Sequence, residues 1–305
     1  MSGSEQALPG SRALGLTRVA RRPWGGGLHG AEYIWAIAFA LPYIFVFFAF
    51  VLYPIGYGIW MGSKVSLYSD LFSDPRYLTA VANTILYVGI GVNLKMALAF
   101  MLSGFFMRKR WWIKGLLVIF ILPWATPALP AYMSIHWFLN GQWGMLNNIL
   151  YMMFGIDGPV YLNERWPGLA CNIGAYIWKN LPFWTIILLA GRMAVPQELY
   201  EAAEVDGATG LRRFTHVTLP LMANLYLVCT LLDTVFALGD FNATYFVSGG
   251  GPAMSTEVLA TLGIRYAFTN ALPRMGVAAV MTALPVLIPL VIILMRKLRD
   301  KGVQM

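Results

Sequence analysis

The chain has 305 residues, of which 58% are hydrophobic and only 12% charged. Soluble globular domains carry roughly 25% charged residues, so this composition excludes an ordinary water-soluble fold and points to a lipid environment. The net charge is +8, yet the basic residues sit in short clusters between apolar runs and make no continuous basic face, which argues against a nucleic-acid partner.

Residues 1–30 are rich in Gly, Ser and Arg, hold no apolar run, and read as a mobile cytoplasmic tail ahead of one membrane domain at 31–305. A helix that crosses a bilayer needs ~20 mostly apolar residues. Six segments qualify: about 33–60, 81–106, 115–139, 168–191, 217–239 and 275–295. The first is too long for a signal-peptide core and no small-residue cleavage pattern follows it, so it reads as a retained anchor. The uncharged stretch from Gly115 to Ile156 exceeds one span; Gly141, Gly144, Asn147 and Asn148 mark a break, with a short outer or interfacial helix to follow. Pro42, Pro54, Pro182, Pro285 and Pro289 predict kinks within spans. The cluster Pro123, Pro127 and Pro130 predicts a hinge beside a pathway, since broken backbone is tolerated at membrane depth where protein or a wet cavity satisfies it. Cys171 and Cys229 lie in apolar segments and read as packed thiols.

Lys and Arg give the orientation. With the amino terminus inside, the cytoplasmic regions hold fifteen of the 22 basic residues, among them Arg108, Arg110, Lys114, Arg212, Arg213, Arg296 and Lys297. The outer regions hold Lys64, Arg76, Arg165, Arg265 and Arg274, and Lys95 and Lys179 fall within spans. The expected architecture is therefore an all-α integral membrane fold with six transmembrane helices and both termini cytoplasmic.

The loop at 192–216 then faces the cytoplasm. Pro196 suits the first turn of a short helix, and Glu198, Glu201 and Glu204 favour its positive end. Leu199, Ala202, Ala203 and Val205 make a small apolar face, and Gly207 is free to turn the chain. A helix lying on lipid headgroups would not carry three glutamates and Asp206 against an anionic leaflet, so a docked protein is the better reading. Leu219 and Pro220 open the fifth span. His216 in this loop, His136 and His29 read as local hydrogen-bonding residues.

The spacing Glu201-Ala202-Ala203, three residues, Gly207, nine residues, Val217, one residue, Leu219-Pro220 resembles the EAA loop of bacterial ABC-importer permeases. Trp178, Lys179, Pro182 and Phe183 before it, Gly249, Gly250, Gly251 and Pro252 after it, and Asn83 and Thr84 resemble the carbohydrate-uptake, maltose-type branch, over roughly residues 33–300. The resemblance implies a permease subunit in a bacterial cytoplasmic (inner) membrane. It implies a second permease subunit, two ATPase subunits and an extracytoplasmic solute-binding protein as partners, besides membrane lipid. Glu201, Ala202, Ala203, Asp206, Gly207, Leu219 and Pro220 would form the ATPase-coupling element, with ATP on the partner subunits and no cofactor on this chain.

No Gly-x4-Gly-Lys-Ser/Thr loop, triad signature or metal-spaced His/Cys set occurs, so a catalytic role is not expected. Polar residues inside spans are costly and so are functional candidates. Tyr176, Lys179, Asn180 and Phe183 share one helical face by their spacing, as do Asp233, Ala237 and Asp240. In maltose-type relatives the corresponding stretches line the sugar site near mid-membrane, so the resemblance makes these seven the substrate-pathway residues. Lys179 and Asp233 read either as a mutual ion pair or as substrate contacts. The second reading extends the cargo to an acidic sugar or a glycerol-phosphate compound. Lys95 reads as snorkelling toward the inner interface. Trp137, Asn140, Trp143 and Tyr151 read as an interfacial belt. A rival reading is an ion-driven secondary transporter with Lys179, Asp233 and Asp240 as a relay; no inverted repeat supports it.

Overall fold

The computed structural model describes residues 30–302 apart from Lys109. The tail predicted at 1–30 and His29 thus lie outside the described residues, save for Gly30. Every regular element among the described residues is helical. In chain order they are α1 Tyr33–Gly62, α2 Val65–Phe72, α3 Pro75–Phe106, α4 Trp111–Ala125, α5 Ala128–Phe138, α6 Met145–Phe154, α7 Arg165–Met193, α8 Gln197–Val205, α9 Gly210–Gly239, α10 Asn242–Val247, α11 Leu259–Ile264 and α12 Pro273–Lys297. Five of them, α1, α3, α7, α9 and α12, are long and apolar enough to cross a membrane.

The third predicted span, 115–139, is not one helix. It is α4 and α5, bent by 97° at Thr126 and Pro127. Proline cannot donate to the turn before it and pushes its predecessor out of the α region, and Thr126 accordingly takes ψ 146°. Counted as one broken span, the pair restores the expected six. The short helix expected after the break is α6, closed by Gly155.

Contacts divide the chain into two units, one ending at Gly56 and the other starting at Tyr57. In the first, the helix exposes Phe39, Tyr43, Phe45 and Phe50 on all sides. A helix apolar all round with nothing buried is suited to lipid. In the second unit, α3 and α7 make the most extensive packing contact, and α9 lies against both. The main core is drawn from all three, including Tyr87 and Met96, Trp184 and Leu188, Met222 and Cys229. A second cluster joins Leu71 and Tyr77 to Leu259, Leu262 and Tyr266.

Of three wide π turns among the described residues, Phe48–Leu52, Phe214–Thr218 and Arg265–Thr269, the first two close on Tyr53 and Leu219, each directly before a proline. Pro54 and Pro220 have no N–H for the carbonyl four residues earlier and crowd it; the wider turn hands the next bond to Phe48 O and Phe214 O instead. Consequently α9 begins at Gly210, ahead of the expected 217, and Leu219 and Pro220 lie inside a continuing helix. Likewise Pro196 caps α8 with ψ 133° and stands just outside its first turn.

Candidate functional site

The bend between α4 and α5 strands the last carbonyls of α4, which no intrahelical N–H can reach. Lys179 of α7 supplies the donors. Its Nζ gives hydrogen bonds to Pro123 O at 2.9 Å, Thr126 O at 2.7 Å and Trp124 O at 3.4 Å. An ammonium has three donors, and all three are used. The negative end of a helix also favours a cation there. Lys179 is therefore a cap on the hinge, and it is not the partner of Asp233.

That partner is Lys95. Its Nζ lies 2.7 Å from Asp233 Oδ1, and the two side chains are 0% and 1% exposed. The Tyr176 ring covers the ammonium, with Nζ 3.6 Å from the ring centroid, while Tyr176 Oη donates to the same Asp233 Oδ1 at 3.1 Å. Lys95 thus does not snorkel. It lies within α3, and its counter-charge, Asp233, is across the interface with α9. Asp233 Oδ2 is buried as well. Asp240 is held by Tyr87 Oη at 2.8 Å and by the Asn242 backbone N–H at 3.0 Å.

These groups border one cavity of about 550 Å³ between the broken span, α7 and α9. Tyr176, Lys179, Asn180 and Phe183 line it from α7; Asp233 lines it from α9, and Asp240 from just beyond that helix. Ala237, the seventh expected residue, packs in the core at 3% exposed. Trp124 and Tyr132 of the broken span complete the wall and were not foreseen. The Trp124 and Phe183 rings stack at 5.4 Å with planes 20° apart. The result is a chamber of carboxylate, amide and phenol groups beside flat aromatic faces, which can hold a ligand that is both hydroxylated and ring-shaped.

In the 192–216 loop, Glu201 and Ala202 of α8 and Asp206 and Gly207 just after it are exposed, while Ala203 is buried. Val205 is 88% exposed and Leu211 77%. Gly207 takes φ +77°, the left-handed region that glycine enters freely. Leu219 and Pro220 are exposed on α9. The loop is anchored at its root by buried Arg192, whose Nε donates to Ser103 Oγ at 2.7 Å and Nη2 to Phe100 O at 2.9 Å. His216 Nδ1 meets Arg212 O, a local bond, whereas His136 Nδ1 meets Val247 O, 111 positions away in the chain, so its bond is a tertiary one and not the local bond expected.

At the other end of α3, Asn83 donates to Ser255 O and Glu257 O, both at 2.8 Å, and accepts from Arg165 Nη2. Thr84 Oγ1 accepts the Leu259 N–H at 2.8 Å. These bonds seat the Gly249–Pro252 turn, where Gly250 has φ +79° and a Cβ would come 2.6 Å from Glu257 Cγ. Glu257 pairs with Arg265; burial pushes its carboxyl above the usual range, with Arg265 opposing. Trp137, Trp143 and Tyr151 are exposed and Asn140 is half-buried.

The family described as binding-protein-dependent transport system inner membrane component matches residues 95–304. The trehalose/maltose transport system permease protein of Thermococcus litoralis is 30% identical over 246 residues, covering 74% of this chain and 81% of that protein. The sulfoquinovosyl glycerol transport system permease protein of Agrobacterium fabrum is 33% identical over 203 residues, 63% of this chain and 62% of the relative's own length. A crystal structure of a bacterial ABC transporter involved in the import of the acidic polysaccharide alginate contains a chain of the same fold, with a TM-score of 0.76 at 23% identity over 88% of this chain and 96% of that one.

Proposed function

The chain belongs to the family of binding-protein-dependent transport system inner membrane components, and from that premise we propose that it is the permease subunit of an ATP-driven carbohydrate importer, forming half of the translocation pathway. The observation that carries the reading is the cavity walled by α7, α9 and the broken span, with aromatic faces and hydroxyl acceptors set among apolar helices. A sugar requires both kinds of surface. The relatives' printed names, trehalose, maltose and sulfoquinovosyl glycerol, support the same class of cargo.

In this proposal both termini and the 192–216 loop are cytoplasmic, by the distribution of Lys and Arg. The short helix α8, with Glu201, Ala202, Ala203 and Asp206 before the Gly207 turn, docks on an ATPase subunit. Exposed Val205 and Leu211 give that subunit an apolar grip. Closure of the ATPase pair pulls the loop, and Arg192 passes the movement to α3 through Ser103 and Phe100. The spans then rock, and the cavity opens to one side and then the other. ATP binds the partner subunits, cargo arrives on an extracytoplasmic solute-binding protein, and a second permease subunit supplies the other half of the pathway.

The test is affinity co-purification of the chain from native membranes in mild detergent, with mass spectrometry of what is bound. An ATPase subunit and a second six-span chain are expected. Repeated recovery of the chain alone would overturn the proposal in favour of ion-driven transport through Asp233 and Asp240.

A further inference from the structure

A second polar cavity, of about 330 Å³, lies where the ends of α3 and α7 meet the short helix α8 and the first turns of α9. It shares no lining residue with the cargo chamber. We infer that it binds a phosphate-type oxyanion, carried by an anionic phospholipid headgroup or free in the cytoplasm, and that Arg192 and Arg213 hold it. Binding there does not depend on which cargo the spans carry. It rests on the proposed topology only in taking this end of the spans as cytoplasmic.

Arg192 stands in the last turn of α7 and is 7% exposed. Its Nε and Nη2 donate to Ser103 Oγ and Phe100 O, and the Phe100 ring centroid lies 4.3 Å from Cζ. These partners orient the guanidinium but carry no charge. The negative end of α7 offsets only part of a full charge, and no Asp or Glu pairs with Arg192 among the described residues. A buried cation without a counter-charge is costly. Its third nitrogen, Nη1, is the first atom that a Cβ on Gly104 would meet, at 3.4 Å, and Gly104 is part of the cavity wall.

Arg213 lines the same cavity from α9. Glu204, the carboxylate beside it, is 3.9 Å away and 66% exposed, so solvent screens that pair. The lining itself holds no Asp or Glu, and Glu198 and Glu201 of α8 are exposed outside it. Gln197, Tyr200 and Thr218 add neutral donors. Phe214 and Thr218 are the two ends of the wide π turn, which brings both to the cavity. A guanidinium fork matches the oxygens of a phosphate. Basic pockets between spans at the cytoplasmic face suit anionic headgroups, and the Met107 and Phe214 side chains offer apolar wall beside such a group.

The experiment is native mass spectrometry of the full transporter, purified and delipidated in detergent, then titrated with phosphatidylglycerol or with sodium phosphate at constant ionic strength. Hydrogen–deuterium exchange of peptides covering 192–216 is followed in parallel. At least one probe should bind saturably and slow exchange in that loop. Slowing by phosphatidylglycerol alone assigns the lipid as the source, and slowing by sodium phosphate assigns the free ion. Arg213→Gln should weaken binding of the active probe at least about tenfold, through loss of a charge-assisted hydrogen bond. Gly104→Val, which fills the wall and keeps both arginines, should weaken it likewise. Arg110→Gln removes an exposed arginine that does not line the cavity and should change affinity by no more than about twofold. Binding of neither probe, or equal weakening by Arg110→Gln and Arg213→Gln, would overturn the inference. So would loop peptides protected without either probe and unaffected by Arg213→Gln, since a side chain of the ATPase subunit would then fill the cavity. If Gly104→Val does not assemble, the two arginine variants decide the matter. Sugar uptake is measured separately, and its absence would overturn the carbohydrate reading without touching this site.

Discussion

Lys95 and Asp233 form an ion pair 2.7 Å apart with both side chains closed off from solvent. Breaking such a pair from one side leaves an unmatched buried charge, at a cost of about 3–5 kcal/mol, whereas replacing both partners with apolar groups is often neutral. Lys95→Met should therefore lower the thermal midpoint of the purified protein sharply. The double variant Lys95→Met with Asp233→Leu should recover most of the loss. Thermal unfolding in detergent, run as a double-mutant cycle, measures this; additive losses would show that the pair is not coupled.

Lys179 holds three backbone carbonyls at the hinge between α4 and α5. Lys179→Met removes the side-chain donor to Trp124 O and Thr126 O, at about 1–3 kcal/mol for a group left unsatisfied, while Pro123 O keeps the hydrogen bond from Thr126 Oγ1 at 2.8 Å. The effect should be local. Hydrogen–deuterium exchange of peptides covering 120–135 should accelerate, while peptides from the α3 core should keep their protection. Unchanged exchange at the hinge would mean that the prolines alone set the bend.

Gly207 has φ +77° and open space where a Cβ would stand. An added Cβ meets nothing within 4 Å, so the main cost is the left-handed backbone, about 1–2 kcal/mol for an ordinary L-residue. Gly207→Val should leave the thermal midpoint nearly unchanged and still reduce ATPase co-purification and sugar uptake severely, because the strain distorts the docking helix. Full uptake by Gly207→Val would remove the coupling role from this loop.

Asp74 caps α3 and its carboxyl is pulled from 3.8 to about 2, first by the hydrogen bond from Arg76 and, beyond the opposing effect of burial, by Tyr266 Oη at 2.5 Å. A carboxyl with a lowered folded-state pKa contributes stability that is fully present above its unfolded value and is lost as pH falls through the folded one. The contribution should hold at neutral pH and disappear between 3.8 and about 2. Asp74→Asn should lower the thermal midpoint at pH 7, and the gap from wild type should close across that window. A gap that stays constant down to the acid end would assign the effect to shape alone.

The elements of this protein were legible in the sequence because they rest on local chemistry. Hydropathy over some twenty residues locates α3, α7, α9 and α12, and the Pro123–Pro130 cluster announces a break whatever surrounds it, because proline withholds its own N–H. Gly207 declares its turn in the same way. Helical spacing also placed Tyr176, Lys179, Asn180 and Phe183 on one face, and that face does border the cavity. What spacing cannot report is which side chain lies opposite. Lys179 and Asp233 looked matched, both charged and both mid-span. Only the packing of α3 between α7 and α9 puts Lys95 against Asp233 and leaves Lys179 beside the freed carbonyls of α4. The Tyr87 to Asp240 bond bridges 153 positions of chain, and Ala237 went into the core because the face it shares with the two aspartates also meets the helix interface. Local sequence determined where the backbone turns and what each helix can bury. Tertiary contact decided which charges neutralise one another and which cap the backbone.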